Sequence, residues 1–387
     1  MPASNRRRQA VTAGDAFAVA APGIAPFVAA ELRALGLQPT AVDEAGVSFS
    51  SDAAGLYAAN LHLRTASRVV IRVAQFRAAH FSDLEQQARG IAWERWVPRG
   101  ATVAIRATSR KSRLYHSGGV AQRVFEAIAH RVTGVTRVEH ADDDPAQTAQ
   151  LVVVRVDRDE CTVSVDSSGP LLHRRGYRQA VAKAPLRETL AAALLHAAQW
   201  DPEQPLVDPC CGSGTIPIEA ALMARRIPPG RQRAFAFEQW PEFSASIWRR
   251  TKDQGEDGVL ANAPSPIVGG DRDAGAIEAA IANAIRAGVA GDVEFVRRPL
   301  SRSPAPAAGP GLLLTNPPYG ERIGDSSDLR DLYASLGKLT RGALAGWQLA
   351  FLASDPALAR QTGVALAAGL RTSNGGIKVA LYRSVRV

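Results

Sequence analysis

The residues best equipped for chemistry lie at Thr315-Asn316-Pro317-Pro318-Tyr319-Gly320, where the apolar run Gly311-Leu312-Leu313-Leu314 stops. A proline lacks a backbone donor and fixes its own φ, and the residue before a proline is pushed toward an extended shape. Asn316 is thereby held with its side chain pointing out of a strand end. The segment offers carbonyl acceptors, the Asn316 amide and the flat face of Tyr319. That set suits a planar base with an exocyclic amino group: the acceptors take the amine's hydrogens and the ring stacks. A proline-rich turn after a buried strand is the other reading of the same residues.

A second motif lies upstream, at Leu206-Val207-Asp208-Pro209-Cys210-Cys211-Gly212-Ser213-Gly214-Thr215. A short apolar strand ends in an acid, a glycine-rich turn follows, and a helical pattern runs from Ile216 to Ala224. The glycines let backbone approach a ligand closely, and a helix N-terminus presents free N–H groups. No Gly-Lys-Ser/Thr follows, so this is not a phosphate-cradling loop. Pro217 stands where a dinucleotide fingerprint has its third glycine, and Asp271 lies far beyond the roughly 20 residues expected there. Between the two motifs, Pro266-Ile267-Val268-Gly269-Gly270-Asp271 reads as a strand ending in an acid. A helix over 274–287 follows and stops at Gly288. An acid so placed can accept hydrogen bonds from ribose hydroxyls; a solvated surface carboxylate is the plainer alternative.

These motifs, in this order, resemble motifs one, two and four of class I S-adenosylmethionine-dependent methyltransferases that modify exocyclic amines. The flanks narrow the resemblance. Ala184-Pro185-Leu186-Arg187-Glu188-Thr189-Leu190 resembles the segment that precedes the first strand and lines the cofactor site; Phe235-Ala236-Phe237-Glu238-Gln239-Trp240-Pro241 resembles an insertion before the second strand. Together they are similar to the bacterial THUMP-domain RNA guanine-N2 methyltransferases, which act on 23S rRNA or tRNA. The resemblance implies S-adenosyl-L-methionine as cofactor, held by Arg187, Glu188, Thr189, Asp208, Cys211, Gly212, Gly214, Asp271 and Asn316. It implies catalysis by Asn316, Pro317, Pro318 and Tyr319. One departure stands out. The third strand of such enzymes usually ends in an acid that contacts the adenine amine, and Val293-Glu294-Phe295-Val296-Arg297-Arg298-Pro299-Leu300 has no carboxylate after Phe295.

The expected architecture is α/β: a C-terminal Rossmann-like class I methyltransferase domain with a mostly parallel seven-stranded sheet, behind an N-terminal α+β region containing a THUMP domain. The expected divisions are a ferredoxin-like part at 1–65, a THUMP domain at 66–170, a linker at 171–184 and the methyltransferase domain at 185–387. At 387 residues, two or three domains are the default. The 46 Lys and Arg exceed the 37 Asp and Glu, for a net charge of +9, which favours a polyanionic partner. Strands are expected at 67–73, 103–107, 151–156 and 161–166, and a helix at 118–129.

Thr108 to Ser117 mixes cations, hydroxyls and an aromatic just before that helix, a mixture that suits phosphate and ribose contacts. Its position resembles the core of a THUMP domain, and Arg106, Arg110, Lys111, Arg113, Tyr115 and His116 are the RNA-contact candidates. A solvated basic loop is the alternative. Three cysteines without a C-x-x-C pair argue against a zinc site, so no metal is expected. Asp15, Pro22, Gly23 and Pro26 interrupt the stretch after Arg6-Arg7-Arg8, which therefore does not read as a secretory signal. No apolar run reaches membrane-spanning length. The reading is a cytoplasmic monomer with RNA as partner and no membrane association. Guanine N2 and adenine N6 are both exocyclic amines, so the asparagine–proline signature leaves an N6-adenine DNA methyltransferase open. A catalytically degenerate RNA-binding protein is the third possibility, supported only by the missing acid.

Overall fold

The computed structural model describes residues 14–138, 149–179, 186–318 and 326–385. The chain divides into two compact units. The first holds the chain up to Ala20, Val28–Leu172 and Arg233–Asp253; the second holds Ala21–Phe27, His173–Gln232 and the chain from Gln254 onward.

The first unit is built on strands β1 (Gly14–Val19), β2 (Pro39–Asp43), β3 (Gly46–Ser51), β4 (Arg68–Arg77), β5 (Thr102–Arg110), β6 (Thr136–Val138), β7 (Gln150–Asp157) and β8 (Glu160–Asp166). They form one sheet in the order β2-β3-β1-β4-β8-β7-β5-β6. The sheet is continuous across residue 65, because β1 pairs with β4 from Asp15↔Arg72 to Val19↔Arg68. Helices α1 (Ala25–Ala34), α2 (Ala53–His62), α3 (Phe81–Gly90) and α4 (Ser117–Arg131) accompany it. In α4 the apolar residues recur at helical spacing, and Val120, Ala121, Val124, Ala127 and Ile128 are buried. The sequence shows no comparable periodicity for β2, where four of five residues are exposed.

Residues 233–253 sit deep in the C-terminal sequence yet complete the aromatic core of this first unit. Tyr57 of α2 stacks on Phe237 with ring centroids 4.3 Å apart. Trp248 meets Phe237 edge-on at 5.2 Å, and Trp96 meets Trp240 edge-on at 4.9 Å. The polar rims are satisfied too: Trp240 Nε1 donates to Gln150 Oε1 at 2.7 Å, and Ser244 N donates to the Tyr57 hydroxyl at 3.1 Å. Buried aromatic pairs of this geometry add to plain area burial. Arg233 reaches the carbonyls of Ser168, Pro170 and Leu171. That turn is pinned in turn by Asp166, which is buried, paired with Arg68 and accepts from the N–H groups of Ser168 and Gly169.

The second unit holds β9 (Leu206–Asp208), β10 (Ile267–Asp271), β11 (Val293–Arg297), β12 (Leu312–Thr315), β13 (Gln348–Ala353), β14 (Leu366–Asn374) and β15 (Ile377–Ser384). Their order is β11-β10-β9-β12-β13-β15-β14. The first five of these neighbours run parallel, and β15 is antiparallel to both β13 and β14. Helices α5 (Glu188–Ala197), α6 (Thr215–Ala224), α7 (Ala245–Asp257), α8 (Ala274–Ala287), α9 (Ser326–Arg341) and α10 (Pro356–Arg360) alternate with the strands; α7 carries the chain back from the first unit. Strands buried on both faces read as unbroken apolar runs, as Leu312–Leu314 does. One core layer joins Val207, Val268, Leu313, Leu349 and Phe351 of the sheet to Tyr333, Leu336 and Leu339 of α9. α8 has the expected bounds, with Asp273 accepting from Gly275 N at its start and Gly288 in the left-handed region at its end. The chain reverses direction across the sheet between β9 and β12, and such switch points place ligands at the carboxyl ends of the strands. Among the described residues, no helix is long and apolar enough to cross a membrane.

The aromatic core gives a direct stability test. Trp248 is buried against Tyr57, Phe235 and Phe237. Trp248→Ala is expected to destabilise the first unit by about 3–5 kcal/mol, read as the loss of midpoint in a denaturant melt of the full chain.

Candidate active site

The glycine-rich turn leaves β9 and closes on its neighbours. Cys211 N donates to Gly270 O at 2.9 Å, and Gly214 N donates to Cys211 O at 2.9 Å. Gly212 and Gly214 have φ of 51° and 84°, values that favour glycine. Space forbids a side chain at Gly214 as well: a Cβ there would lie 2.9 Å from Ala280 Cβ and 3.0 Å from Phe295 Cζ. The helix that follows can therefore start close to α8 and β11. From α8, the buried Asn283 donates through Nδ2 to Ser213 O at 3.1 Å.

Three site candidates stand at adjacent strand ends. Asp208, ending β9, is buried; its Oδ1 accepts from Thr315 Oγ1 at 2.6 Å and from Cys210 N at 3.1 Å. Burial pushes its carboxyl up to about 7, against the Thr315 and Cys210 hydrogen bonds. Asp271, ending β10, is half-buried; Oδ2 accepts from Gly212 N and Oδ1 from Asp273 N, each at 3.0 Å. Each oxygen has capacity for a further hydrogen bond. Asn316 follows β12 directly. Its Oδ1 is buried and has no hydrogen-bond partner among the described residues. Pro317 is buried and Pro318 half-buried. Tyr319 lies outside the described residues, as do Ala184 and Pro185. Burial raises the Cys210 and Cys211 thiols well above their ordinary range, so both are neutral packing groups near the turn.

A buried ion network underlies the start of α5. Arg187 is exposed at the N-cap, whereas Glu188 and Thr189 are buried. Glu188 Oε1 pairs with Arg178 Nε at 3.1 Å, and Arg178 also donates to Leu186 O at 2.6 Å. Glu219 of α6 accepts from the Tyr177 hydroxyl at 3.1 Å and faces Arg175 Nε at 3.5 Å. Burial lifts the Glu188 carboxyl to about 7, with Arg178 opposing the shift. Glu188 Oε2 has no hydrogen-bond partner among the described residues. The orphaned acceptors at Glu188 and Asn316, the glycine cradle and the spare capacity of Asp271 fit a ligand with an ammonium, a ribose and a reacting centre.

The RNA-contact candidates all belong to the first unit. The structure corrects the loop expected between Ala107 and Gly119: β5 runs on to Arg110, because the parallel ladder with β7 continues to Arg110↔Asp157. Arg106 and Arg110 therefore stand on a strand, and the loop begins at Lys111, whose φ is 47°. Ser112 Oγ and Arg113 N both donate to Asp159 Oδ1, at 2.8 and 2.9 Å. These bonds, the Arg113 N–H contributing most, and the nearby charges of Arg113 and Arg77 hold Asp159 below the usual carboxylate range. Leu114 is buried beneath the loop, so Tyr115 is displayed at 83% exposure. His116 Nδ1 accepts from Gly119 N at 2.7 Å and caps α4.

Sequence reasoning missed Thr315, Asn283, Tyr177, Arg178 and Glu219 as supports of the site. A hydroxyl closing an all-apolar strand was a visible signal at Thr315. The others become partners only through tertiary contacts. Among the described residues, no cluster of His, Cys, Asp and Glu is arranged to hold a metal ion.

The Asp208 carboxyl gives a pH test. Its folded value of about 7 exceeds the ordinary value near 4, so the folded state holds the proton more tightly. Its contribution is full below about pH 4 and is lost as pH rises toward 7. Asp208→Asn removes this loss. Denaturant melts at pH 4, 5.5 and 7 are expected to show the variant gaining on wild type as pH rises, by up to about 1.4 kcal/mol per unit. Glu188 titrates in both proteins and cancels in the difference.

The comparisons with known proteins converge on one family. Residues 175–380 match the family model described as RMKL-like, methyltransferase domain. Residues 15–70 match an RlmL ferredoxin-like domain and residues 78–166 a THUMP domain. The chain is 38% identical over 380 residues to the ribosomal RNA large subunit methyltransferase K/L of Syntrophotalea carbinolica, covering 94% of this chain and 52% of that protein. It thus spans about half the length of the K/L relatives it matches. With slr0064 of Synechocystis, provisionally named an RNA methyltransferase, it shares 35% identity over 95% of each chain. The solved structure of SMU.472 complexed with SAH aligns at TM-score 0.86 and 31% identity, over 97% of this chain and 99% of that one. A predicted N6-adenine-specific DNA methylase of Listeria monocytogenes aligns at 0.85 and 32%, over 97% of each. The chain belongs to the RMKL-like methyltransferase family, with ferredoxin-like and THUMP regions ahead of the catalytic domain, and S-adenosylmethionine is its methyl donor.

Proposed function

We propose that this enzyme methylates the exocyclic N2 of a guanosine in RNA, either 23S rRNA or tRNA, and does so in the cytoplasm as a monomer. The observation that carries the reading is Asn316 Oδ1, a buried acceptor without a partner among the described residues, at the end of β12. An unsatisfied buried acceptor is costly, and an incoming amine satisfies it. The names of the relatives in Syntrophotalea and Synechocystis, both RNA methyltransferases, and the match to a THUMP domain support RNA as the substrate.

S-adenosylmethionine, when bound, supplies an electrophilic methyl group on a sulfonium, so no covalent nucleophile is required of the protein. Gly212 and Gly214 would lie near its methionine end, and Asp271 would accept from its ribose. Asn316 Oδ1 and the Pro317 carbonyl accept the hydrogens of the target amine and aim the nitrogen lone pair at the methyl. Tyr319, outside the described residues, is the proposed stacking partner of the base. Orientation of this kind contributes several kcal/mol of barrier lowering. The base must be unpaired or turned out of its helix to arrive there. Arg106, Arg110, Lys111, Arg113, Tyr115 and His116 hold phosphates and riboses of the same RNA, and such phosphate contacts position without reading sequence.

Two measurements check this. Labelled methyl transfer into total RNA and genomic DNA, followed by nucleoside analysis, is expected to yield N2-methylguanosine in RNA. Methyladenine in DNA would instead establish the DNA activity named for the Listeria neighbour, and no label in either would establish a degenerate enzyme. Asn316→Ala is expected to bind cofactor normally and lose roughly 100-fold or more in turnover, comparable to losing one preorganised polar group at a reacting centre. Near-normal turnover in that variant refutes the role. Separately, changing Arg110, Lys111 and Arg113 together to alanine is expected to weaken RNA binding and flatten its salt slope by up to about 2, since fewer counterions are released. Cofactor affinity is expected to hold.

A further inference from the structure

The glycine-rich turn has little stiffness of its own. Gly212 and Gly214 flank Ser213, and glycine is the residue least restrained by its own sterics. A turn that must meet a ligand in one shape therefore needs restraint from outside. Some of it comes from backbone and carboxylate contacts: Cys211 N donates to Gly270 O at 2.9 Å and Gly212 N to Asp271 Oδ2 at 3.0 Å. The Ser213 carbonyl is held by a side chain, accepting from Asn283 Nδ2 at 3.1 Å. The N–H of the same peptide unit, on Gly214, donates to Cys211 O at 2.9 Å. Both polar ends of this one peptide are thus occupied. Gly214 O then accepts from Ile218 N and opens α6.

Asn283 is fully buried in the middle of α8, where an apolar residue would cost less. What orients its amide is Arg286, three residues on and on the same side of the helix. Arg286 Nη2 donates to Asn283 Oδ1 at 2.5 Å, and Arg286 Nε donates to Tyr177 O at 2.8 Å. A guanidinium has donors and no acceptor, so the amide oxygen must face Arg286 and the amide NH2 must face Ser213 O. The flipped amide would set NH2 against guanidinium and oxygen against carbonyl. The far end of this relay is fixed too, because the Tyr177 hydroxyl donates to Glu219 Oε1 of α6 at 3.1 Å. The relay runs from the chain at Tyr177, through Arg286 and Asn283 of α8, to a carbonyl inside the turn.

We propose that Arg286 and Asn283 are positioning residues for the cofactor: together they lock the Ser213–Gly214 peptide in its ligand-ready orientation, and so set cofactor affinity rather than the rate of methyl transfer. This rests on the placement of the cofactor at the glycine-rich turn. Both side chains act through the backbone of the turn. Without the Asn283 donor, the carbonyl of the buried Ser213 loses this partner, which is costly, and the peptide can turn over beside Gly214. A turn already fixed in shape spares the ligand the cost of ordering it.

The test is calorimetric titration of the full-length protein with S-adenosylhomocysteine, with folds compared by thermal melting. Asn283→Asp keeps the volume and the partner of Arg286, but a carboxylate held ionised beside a cation has no hydrogen to give Ser213 O. It is expected to bind about tenfold or more weakly than wild type. Arg286→Ala, at a half-buried position, is expected to lose roughly three- to tenfold, and it decides the matter should Asn283→Asp not fold. Adding Arg286→Ala to Asn283→Ala is expected to change affinity by less than about twofold, since the relay is already broken. Turnover of Arg286→Ala on RNA at saturating S-adenosylmethionine is expected to stay within about twofold of wild type. Wild-type affinity in Arg286→Ala or in folded Asn283→Asp overturns the proposal. So do losses that multiply in the double variant, or unchanged affinity with turnover lost at saturation. The underlying placement fails on different readouts: no binding of S-adenosylhomocysteine by wild type, or an Asp271→Ala protein that binds it as tightly as wild type.

Discussion

A single hydrogen bond between two strand ends organises the catalytic unit. Thr315 Oγ1 donates to Asp208 Oδ1 at 2.6 Å, joining the last residue of β12 to the last residue of β9. The glycine-rich turn begins one residue after Asp208, and Asn316 comes one residue after Thr315. The bond therefore fixes the spacing between the glycine-rich turn and Asn316. Both partners are buried, in surroundings where a hydrogen bond is electrostatically stronger than in water. Burial raises the Asp208 pKa to about 7, against the hydrogen bonds from Thr315 and Cys210. Asp208 thus holds the start of the turn, while each Asp271 oxygen keeps capacity for one further hydrogen bond.

The second constraint is the buried network of Arg175, Tyr177, Arg178, Glu188 and Glu219. Burying charges is expensive, and an ion pair in the interior often contributes little net stability. Its geometric value is clearer. Arg178 ties the incoming chain to Glu188 and Leu186 at the start of α5, and Tyr177 with Arg175 ties it to α6. Helices α5 and α6 are thereby referenced to one short stretch of chain. Misplacing that stretch would leave two carboxylates buried without cations, which is a steep penalty.

Much of the catalytic unit was legible because its signals are local. A helix from Ala274 to Ala287 has an aspartate at its start, a glycine at its end and apolar spacing between them. The strands at 206, 267 and 312 are buried on both faces, and their sequences show it as unbroken apolar runs. The asparagine–proline segment was legible as the end of a buried strand, and β12 stops at Thr315, directly before Asn316. The strand after Ala107 was read short because Thr108, Ser109 and Arg110 are polar, yet the ladder to β7 extends over them. Backbone pairing does not need apolar side chains. β2 escaped for the same reason, since it pairs with β3 while exposing most of its side chains.

Residues 233–253 show the deeper limit. Phe235, Phe237, Trp240 and Trp248 read as apolar residues of a segment inside the C-terminal half, and nothing local says which core they enter. They enter the first unit, where Tyr57 and Trp96 supply the opposing rings. The chain therefore leaves the catalytic unit after Gln232 and returns to it at Gln254. A cut between the N-terminal and C-terminal sequences would strip the first unit of half its aromatic core, exposing Tyr57 and the Trp96 face to water. Burial of these large rings contributes more per residue than most side chains. Connectivity therefore makes the first unit's stability depend on residues 233–253.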